Sequence, residues 1–256
     1  MKIAVITGAS SGMGKEFVLQ AAREERFDEI WAIARNEDKL KELQAVCPCP
    51  VRAVPLDLTS EAALQHYRSM LAQFSPEVSL LANASGFGKF APIEEVGAEE
   101  SANMIDLNCR ALTVMTELTL PYMKQGSRIA QFASVAAYQP VPYIATYAAT
   151  KAFVLSYTRS LSVELQKRGI RVMAICPYWT DSSFFDRAQP TEKRYITNFT
   201  VMLDPKKVVE KAVHDLYHTK KPVSIYGFKV KLQVLGVKLL PHSLVMKIFL
   251  RQQGIK

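Results

Sequence analysis

The stretch KIAVITGASSGMG, residues 2–14, decides the fold of this 256-residue chain. Its apolar, β-branched start predicts a strand, and the glycines and serines that follow predict a tight turn. Gly8, Gly12 and Gly14 have a G-x-x-x-G-x-G spacing. Glycines let a backbone turn sharply and approach a diphosphate, while the N-terminus of the next helix faces that anion. We therefore predict a dinucleotide site here, with a merely flexible Gly/Ser turn as the alternative.

Outward from this turn, short apolar runs alternate with helical patterns. Five further runs lie at residues 29–34, 51–57, 78–84, 127–134 and 170–177. Strands that are apolar throughout, each followed by a helix, indicate a parallel sheet covered on both faces. The pattern predicts one doubly wound α/β domain over residues 1–256, which binds ligands beyond the carboxyl ends of its strands.

The composition is that of an ordinary globular protein. Hydrophobic residues make up 49% of the chain and charged residues 22%, enough for a large core in one domain. The N-terminal apolar run is too short for a signal peptide and no stretch reads as a membrane span, so we expect a cytoplasmic protein. The four cysteines lack the spacing of a zinc site, so free thiols and no metal are expected.

The net charge of +8 admits two kinds of anionic partner, nucleic acid and a phosphorylated small molecule. The cations are spread along the chain without a basic run. No basic stripe or aromatic platform for nucleic acid is visible. We therefore set nucleic-acid binding aside.

Residues after three of the runs predict how the dinucleotide is held. Arg35 stands where an NAD site would place Asp or Glu, and a guanidinium can neutralise a 2′-phosphate. We therefore predict NADP over NAD, with a surface arginine as the alternative. Asp57 is placed to accept a hydrogen bond from an adenine amino group. Small residues in NASG, residues 83–86, would let the chain pass close to the cofactor ribose.

Two tyrosine–lysine pairs share one spacing, and at most one is predicted to perform chemistry. YAATK begins at Tyr147, early in a long predicted helix and thirteen residues after Ser134, where the fifth run ends. YHTKK begins at Tyr217, at the end of a helix whose apolar residues indicate a core-facing side. Asp204 stands where the serine would be required. We therefore predict that Tyr147 is the chemical tyrosine and that Tyr217 is structural.

In this order the motifs resemble the short-chain dehydrogenase/reductase family, along the chain to about residue 185. The resemblance rests on TGASSGMG, NASG, Asn108, Ser134 and YAATK. It implies a Rossmann-like domain with a seven-stranded parallel sheet, in homodimers or homotetramers that pair through long helices. The cofactor-binding residues that it implies are Gly8, Ser10, Ser11, Gly12, Met13, Gly14, Arg35, Asp57, Leu58, Asn83, Ala84, Gly86, Tyr147, Lys151, Pro177, Thr180 and Ser182.

The resemblance also implies four catalytic residues. Tyr147 would be the general acid/base, and the charge of Lys151 would lower the tyrosine pKa from about 10 towards working pH. Ser134 would hydrogen-bond the substrate oxygen and stabilise charge that develops there. Asn108 would hold a helix kink and a water that links Lys151 to solvent. Hydride would move between C4 of the nicotinamide and the carbonyl carbon.

The region after the sixth run departs from the family pattern and is expected to select the substrate. Tyr178 replaces a common glycine, Thr180 an aliphatic residue and Ser182 a threonine. Residues 178–203 are a candidate lid over bound substrate. Its aromatic residues indicate, with equal weight, a bulky apolar substrate or packing of the lid onto the domain: Trp179, Phe184, Phe185, Tyr195 and Phe199. The predicted substrate contacts are Ser134, Tyr147, Tyr178, Trp179 and Phe184.

The segment 229–256 is apolar and basic, and it reads as a helical extension broken at Pro241. One interpretation is an anchor on a membrane surface. The favoured interpretation is a pair of helices that completes the substrate pocket or a dimer contact, because the amphipathic face is imperfect.

Two functions from different classes fit these residues. The first is an NADP-dependent oxidoreductase that interconverts a carbonyl and a secondary alcohol on a steroid-like, acyl or xenobiotic small molecule. The complete set of Asn108, Ser134, Tyr147 and Lys151 supports it. The second is a non-catalytic NADP-binding sensor or scaffold, which would bind the cofactor without turning over any carbonyl.

Overall fold

The computed structural model describes residues 1–189 and 194–255. Its centre is a parallel sheet of seven strands, which confirms the predicted fold class. In chain order the strands are β1 (Lys2–Thr7), β2 (Glu29–Ala34), β3 (Val51–Pro55), β4 (Glu77–Asn83), β5 (Arg128–Phe132), β6 (Arg171–Ile175) and β7 (Val223–Ser224). Their order across the sheet is β3-β2-β1-β4-β5-β6-β7. The crossovers change direction between β1 and β4, which opens a crevice at the carboxyl ends of the strands.

Helices cover both faces of this sheet. They are α1 (Gly12–Glu24), α2 (Glu37–Val46), α3 (Glu61–Phe74), α4 (Ile93–Val96), α5 (Ala98–Ile105), α6 (Leu112–Thr119), α7 (Ala145–Glu164), α8 (Phe184–Ala188), α9 (Pro205–His218), α10 (Phe228–Leu239) and α11 (His242–Gln252). A π-helical turn, Asp106–Ala111, joins α5 to α6, and 3₁₀ turns lie at Leu120–Tyr122, Val135–Tyr138 and Leu165–Arg168. Among the described residues, no helix combines the length and apolar composition needed to cross a membrane.

The central strand β1 explains why the apolar runs are continuous. Ala4 and Ile6 point into the core that contains α1 and α9, whereas Ile3 and Val5 point into the core that contains α3 and α6. Successive side chains of a strand alternate between faces, so a sheet buried on both faces needs apolar residues at every position. Polar side chains that could take part in binding or chemistry therefore lie at the strand ends.

Strands β3 to β6 each end one or two residues before the predicted runs do, and at β5 the difference affects the site. The fifth apolar run was predicted to extend to Ser134, but β5 ends at Phe132. Ser134 instead caps the following 3₁₀ turn, because its hydroxyl accepts a hydrogen bond from the backbone N–H of Ala136 at 3.1 Å. Local side-chain to backbone bonds of this kind compete with strand pairing. The serine is therefore placed above the sheet edge rather than within it.

Candidate active site

A cavity of about 960 Å³ lies at the carboxyl ends of strands β1 to β6. Every predicted cofactor and substrate residue except Asn83 lines it, and so do three of the four predicted catalytic residues. The exception among those four is Asn108. Ligands of open α/β sheets bind in this crevice, so the fold gathers the sequence motifs at the expected place.

The glycine turn after β1 leaves no room for side chains. Gly8 and Gly12 have positive φ values of 68° and 52°. A Cβ on Gly8 would lie 2.8 Å from the backbone nitrogen of Ser85, and one on Gly14 would lie 2.1 Å from the carbonyl oxygen of Gly8. α1 begins in this turn with no acidic residue in its first turn. A helix N-terminus of this kind favours a diphosphate, so the turn fits a dinucleotide.

The cavity edge beyond β2 carries an unpaired cation. Arg35 directly follows the last residue of β2, is exposed and lines the cavity. Within the part of the chain that the structure describes, no ion pair involves Arg35. Because no carboxylate forms a direct ion pair with it among the described residues, its guanidinium is available to a phosphate.

Asp57 lies next to this cation and is anchored locally. Its Oδ1 accepts hydrogen bonds from the Thr59 backbone N–H at 3.0 Å and the Thr59 hydroxyl at 2.7 Å. Burial acts to raise the pKa of Asp57, but the Thr59 bonds and the charges of Arg35 and Arg187 outweigh it and lower that pKa. Asp57 is therefore ionised at neutral pH, which keeps it a hydrogen-bond acceptor.

α7 brings Tyr147 and Lys151 to the cavity one helical turn apart. The Lys151 side chain is buried, and its Nζ donates a hydrogen bond of 2.7 Å to the carbonyl oxygen of Phe132. That Nζ lies 5.6 Å from the centroid of the Tyr147 ring. A Cβ on Gly86 would lie 3.3 Å from the same Nζ and 2.9 Å from Oδ1 of Asn108. Gly86, a small residue in NASG, thus leaves space for the side chains of Asn108 and Lys151 as well as for a ligand.

The predicted lowering of the Tyr147 pKa is wrong for this structure. Surrounding protein excludes water from the phenol and raises the pKa of Tyr147 to about 12, although its interaction with the Ser134 hydroxyl acts in the opposite direction. Burial also lowers the pKa of Lys151 to about 8. Lys151 is not among the groups that shift the Tyr147 pKa in this arrangement, and its amine donates to the Phe132 carbonyl instead.

Asn108 lies beneath the cavity in the π-helical turn between α5 and α6. It is fully buried, and its Oδ1 accepts from the Phe87 backbone N–H at 3.0 Å. Its Nδ2 donates to the Phe87 carbonyl at 2.9 Å and to the Thr150 hydroxyl at 3.0 Å, and that hydroxyl donates to the Tyr147 carbonyl at 2.7 Å. Asn108 therefore ties the loop after β4 to the turn of α7 that carries Tyr147, at a helix irregularity typical of functional sites.

Asn83 differs from the other predicted cofactor residues, because it does not line the cavity. It is buried, and its Nδ2 donates to the Thr116 hydroxyl at 3.1 Å. The last side chain of β4 points towards α6 because neighbouring strand positions alternate between faces. The next residue, Ala84, lines the cavity instead.

The aromatic residues of the candidate lid divide between two environments. Trp179, Phe184 and Phe185 line the cavity and also pack around the fully buried ring of Phe90, with centroid distances of 5.8, 6.0 and 6.1 Å. Phe199 packs on Trp179 without lining the cavity. Tyr195 stacks on Tyr143, with ring centroids 5.6 Å apart. The aromatic residues of the candidate lid therefore serve both purposes: some line the cavity, and some pack the lid onto the domain.

The polar lid residues are satisfied within the lid. Thr180 donates from its hydroxyl to the Tyr178 carbonyl at 2.9 Å, and Ser182 donates to the Thr180 carbonyl at 3.4 Å. Tyr178 is not among the described residues with positive φ, so the replacement of glycine causes no left-handed strain. Residues 190–193 of the candidate lid lie outside the described residues.

Several cavity residues have no clear signal in the sequence. Arg187 of α8 lines the cavity, with its guanidinium carbon 3.5 Å from the Phe87 ring centroid and an ion pair of 3.5 Å to Glu100. The C-terminal helices contribute Gln233, Phe249, Gln252 and Gln253. All five come from the segments that depart from the family motifs, where only the folded chain shows which side chains face inward.

Comparisons with known proteins agree with this geometry. A family model described as short chain dehydrogenase matches residues 2–193. An uncharacterized oxidoreductase of Staphylococcus epidermidis is 31% identical over 183 residues, which are 71% of this chain and 79% of that protein. A second uncharacterized oxidoreductase, from Staphylococcus aureus, is 28% identical over 222 residues, which are 86% of this chain and 92% of that protein.

Solved structures of similar proteins contain nicotinamide cofactors. A short-chain dehydrogenase from Sphingobium yanoikuyae in complex with NADPH is 25% identical, with a TM-score of 0.78 over 92% of both chains. A 3-ketoacyl-(acyl-carrier-protein) reductase from Brucella melitensis complexed with NADH is also 25% identical, with a TM-score of 0.74 over 88% of this chain and 95% of that one. A nicotinamide cofactor is therefore supported for this cavity.

Proposed function

The chain belongs to the short-chain dehydrogenase family of oxidoreductases, and from that premise we propose that it interconverts a carbonyl and a secondary alcohol with NADP(H). One observation carries the proposal. Ser134, Tyr147 and Lys151 meet in one cavity with the glycine turn, although they are separated from it by more than a hundred residues of sequence.

Each residue has a role that follows from its chemistry. Bound NADP(H) supplies or accepts the hydride. In the direction of reduction, Tyr147 gives its phenolic proton to the substrate oxygen, and Ser134 donates a hydrogen bond to that oxygen as negative charge develops. Lys151 provides positive charge next to the tyrosine once its amine is protonated. Asn108 acts as a positioning residue, because it holds the α7 turn through Thr150.

The preference for NADP rests on Arg35. Its exposed guanidinium at the end of β2 forms no direct ion pair with a carboxylate in the described part of the chain, whereas an NAD site would usually hold an acidic residue at this position. The similar structures are divided between NADPH and NADH, so the chain's own residues carry this part of the proposal.

A cofactor titration tests this preference, with Trp179 as the fluorescent reporter at the cavity wall. NADPH should bind more than tenfold more tightly than NADH, and Arg35→Ala should remove about that factor for NADPH alone. Arg26→Ala is the matched control, since Arg26 is exposed and does not line the cavity. Equal affinity for both cofactors in the unmodified chain would show that Arg35 is only a surface residue.

We propose a bulky apolar substrate of the steroid-like, acyl or xenobiotic type. Support comes from Trp179, Phe184 and Phe185, which present aromatic surface to the cavity. The acyl class has the further support that one similar structure is a 3-ketoacyl-(acyl-carrier-protein) reductase. A ketone panel monitored by NADPH absorbance should give turnover with alicyclic or long-chain ketones and little with acetone.

A non-catalytic NADP-binding sensor is the second candidate. The observation in its favour is that Lys151 is bound to the Phe132 carbonyl while the pKa of Tyr147 is raised to about 12. A sensor would bind NADPH with the same affinity in the unmodified chain and in Tyr147→Phe, and neither would oxidise NADPH with any ketone. Turnover that depends on Tyr147 excludes it.

The lid at residues 178–203, the homodimer or homotetramer and the cytoplasmic location remain predictions. Exposed apolar residues on α7, Phe153 and Val163, support pairing through that helix. Light scattering of the purified chain would give its mass in solution, and an apolar-to-serine change at Val163 should lower that mass if α7 forms the contact.

A further inference from the structure

The C-terminal helix α10 is apolar on two opposite sides. In α10 the inner side consists of Val230, Val234 and Val237, all buried against the domain. The outer side consists of Phe228, Leu232, Leu235 and Leu239, which are 80, 59, 53 and 76% exposed. These four recur at intervals of four, three and four residues, so they form one stripe along the helix. The second apolar side explains why the amphipathic pattern looks imperfect in the sequence.

The exposed apolar surface continues across Pro241 into α11. Leu240, Leu244 and Ile248 are each at least 40% exposed, while Val245 and Phe249 are buried beneath them. Of the sixteen large hydrophobic side chains that are exposed among the described residues, seven belong to this outer side. We call these seven the tail face: Phe228, Leu232, Leu235, Leu239, Leu240, Leu244 and Ile248.

The excess positive charge of the chain lies in its last 41 residues, which include α10 and α11. Residues 1–215 contain 24 Lys and Arg and all 24 Asp and Glu, so that part is neutral. Residues 216–256 contain the remaining eight Lys and Arg and no acidic residue, which equals the net charge of +8 of the whole chain. Lys and Arg residues occur along the whole sequence, but their excess over Asp and Glu lies in residues 216–256.

The cations on α10 and α11 border the tail face. At 100° per residue, Lys231 and Lys238 fall on one side of the α10 stripe and Lys229 on the other. Lys247 and Arg251 follow on α11. Among the described residues, none of these five forms an ion pair. Lys238 does contact the domain, since its Nζ lies 5.0 Å from the Tyr138 ring centroid. An apolar stripe bordered on both sides by cations without ion pairs is typical of a helix that lies in a bilayer interface.

We propose that the tail face binds the surface of an anionic lipid bilayer. The leucines and Phe228 would enter the boundary between headgroups and acyl chains, and the lysines would meet the anionic headgroups. With 12 and 11 residues, α10 and α11 are shorter than the about 20 residues of a span, so they lie along the surface.

Charge decides between a bilayer and a second copy of the chain. A two-fold contact would place the tail face against itself and bring together two segments of the same high positive charge. An anionic surface neutralises both segments and still covers the leucines. Nucleic acid would neutralise the charge but would leave the apolar stripe exposed to water.

The position of the tail face connects lipid to the cavity. Phe249 of α11 and Gln233 of α10 line the cavity from the inner side of the same helices. Gln253 accepts hydrogen bonds from the backbone N–H groups of Thr197 and Asn198 at 3.0 and 2.9 Å, and it donates to the Asn198 carbonyl at 3.0 Å. The end of α11, one of the two helices that would lie on the bilayer, therefore holds part of the candidate lid. An apolar substrate dissolved in the bilayer would lie near the cavity.

Vesicle flotation of the full chain tests the proposal and needs neither cofactor nor turnover, so its result is independent of the enzymatic function. The chain should float with vesicles that contain phosphatidylglycerol and should not float with phosphatidylcholine alone. A combined Leu232→Ser, Leu235→Ser, Leu239→Ser variant should lose at least about tenfold in partitioning. A combined Lys229→Gln, Lys231→Gln, Lys247→Gln variant should lose a similar factor, and higher ionic strength should mimic it.

Matched control variants distinguish vesicle binding through the tail face from non-specific adsorption. Val46, Ile93 and Val163 are 58, 58 and 69% exposed elsewhere, and their combined change to serine should leave flotation unchanged. Lys39, Lys167 and Lys207 changed to glutamine serve as the charge control, since all three are exposed. Circular dichroism and the NADPH titration confirm that each variant folds.

Three outcomes would overturn the proposal. They are no flotation of the folded chain with anionic vesicles, an equal loss in a control variant, and flotation that the leucine and lysine variants leave intact. If the leucine variant halves the mass measured by light scattering while no form of the chain floats, the tail face is instead a contact between two copies.

Discussion

Two tyrosine–lysine pairs with the same spacing have different surroundings in this molecule. Tyr147 and Lys151 lie in the first turns of α7, above the end of β5, and both line the cavity. Tyr217 lies in the last turn of α9, and Lys221 follows three residues after that helix ends at His218. Neither member of the second pair lines the cavity.

The second pair belongs to a structural charge network. The Tyr217 hydroxyl donates a hydrogen bond of 2.7 Å to Glu25, and the guanidinium carbon of Arg128 lies 4.2 Å from its ring centroid. Lys221 contacts Asp215 at 3.4 Å. Burial and the Glu25 carboxylate raise the pKa of Tyr217, so this phenol keeps its proton. The difference between the pairs comes from the strand ends around α7, because the spacing alone only places two side chains on one side of a helix.

The largest expected effect is on turnover. Tyr147→Phe removes the proton that the substrate oxygen needs, so kcat for ketone reduction should fall about a thousandfold. Tyr217→Phe removes the same hydroxyl from the other pair and should leave kcat within about twofold, since the site is untouched. NADPH consumption with the best ketone of the panel measures both. Equal losses in the two variants would contradict the distinction between the pairs.

The two lysine variants should differ in kcat/KM by a smaller factor than the two tyrosine variants differ in kcat. Lys151→Met removes the cation next to Tyr147, so kcat/KM for reduction should fall about a hundredfold, whereas Lys221→Met should leave it unchanged.

The pH profile adds a signature that a purely structural role would not produce. Burial lowers the pKa of Lys151 to about 8, so the residue is charged below that pH and neutral above it. Reduction by the unmodified chain and by Lys221→Met should therefore slow as the pH rises through about 8. This limb should be absent in Lys151→Met, and its persistence there would assign it to another group.

The smallest expected effect is on stability. Here the Tyr217 variant should lose more than the Tyr147 variant, which is the opposite order from turnover. Tyr217→Phe removes a hydrogen bond to a largely buried carboxylate and should lower the free energy of unfolding by about 1 to 2 kcal/mol. Tyr147→Phe keeps the ring that packs against Phe184 and should change it by less than about 0.5 kcal/mol. Urea unfolding followed by circular dichroism measures both. A larger loss for Tyr147→Phe would make that tyrosine a structural residue as well.

Much of the sheet could be predicted because its causes are local. Runs that are mostly apolar predicted the places of β1 to β6, and the glycine spacing predicted the turn before α1. The end of β5 was predicted two residues late, since the hydroxyl of Ser134 bonds to the next turn and ends the strand. β7 has only two residues, too few for a periodic signal.

The candidate site could be predicted as a set of positions but not as a set of side-chain environments. Asn83 and Asn108 both turn away from the cavity, one towards α6 and one towards Phe87 and Thr150. Arg187 approaches Asp57 only because α8 folds across the loop after β4. Neither outcome follows from residue type or spacing, since each depends on which distant segment packs alongside.

The sequence by itself determined the order of strands and helices, the glycine turn, the tyrosine–lysine spacing and the positive charge of the last 41 residues. These follow from side-chain shape, periodicity and charge within a few helical turns. Only the tertiary structure decided which polar side chains face the cavity, how burial moves the pKa values of Tyr147 and Lys151, and which side of α10 stays exposed. Those properties depend on desolvation and on contacts between residues far apart in the chain, and such contacts exist only after folding.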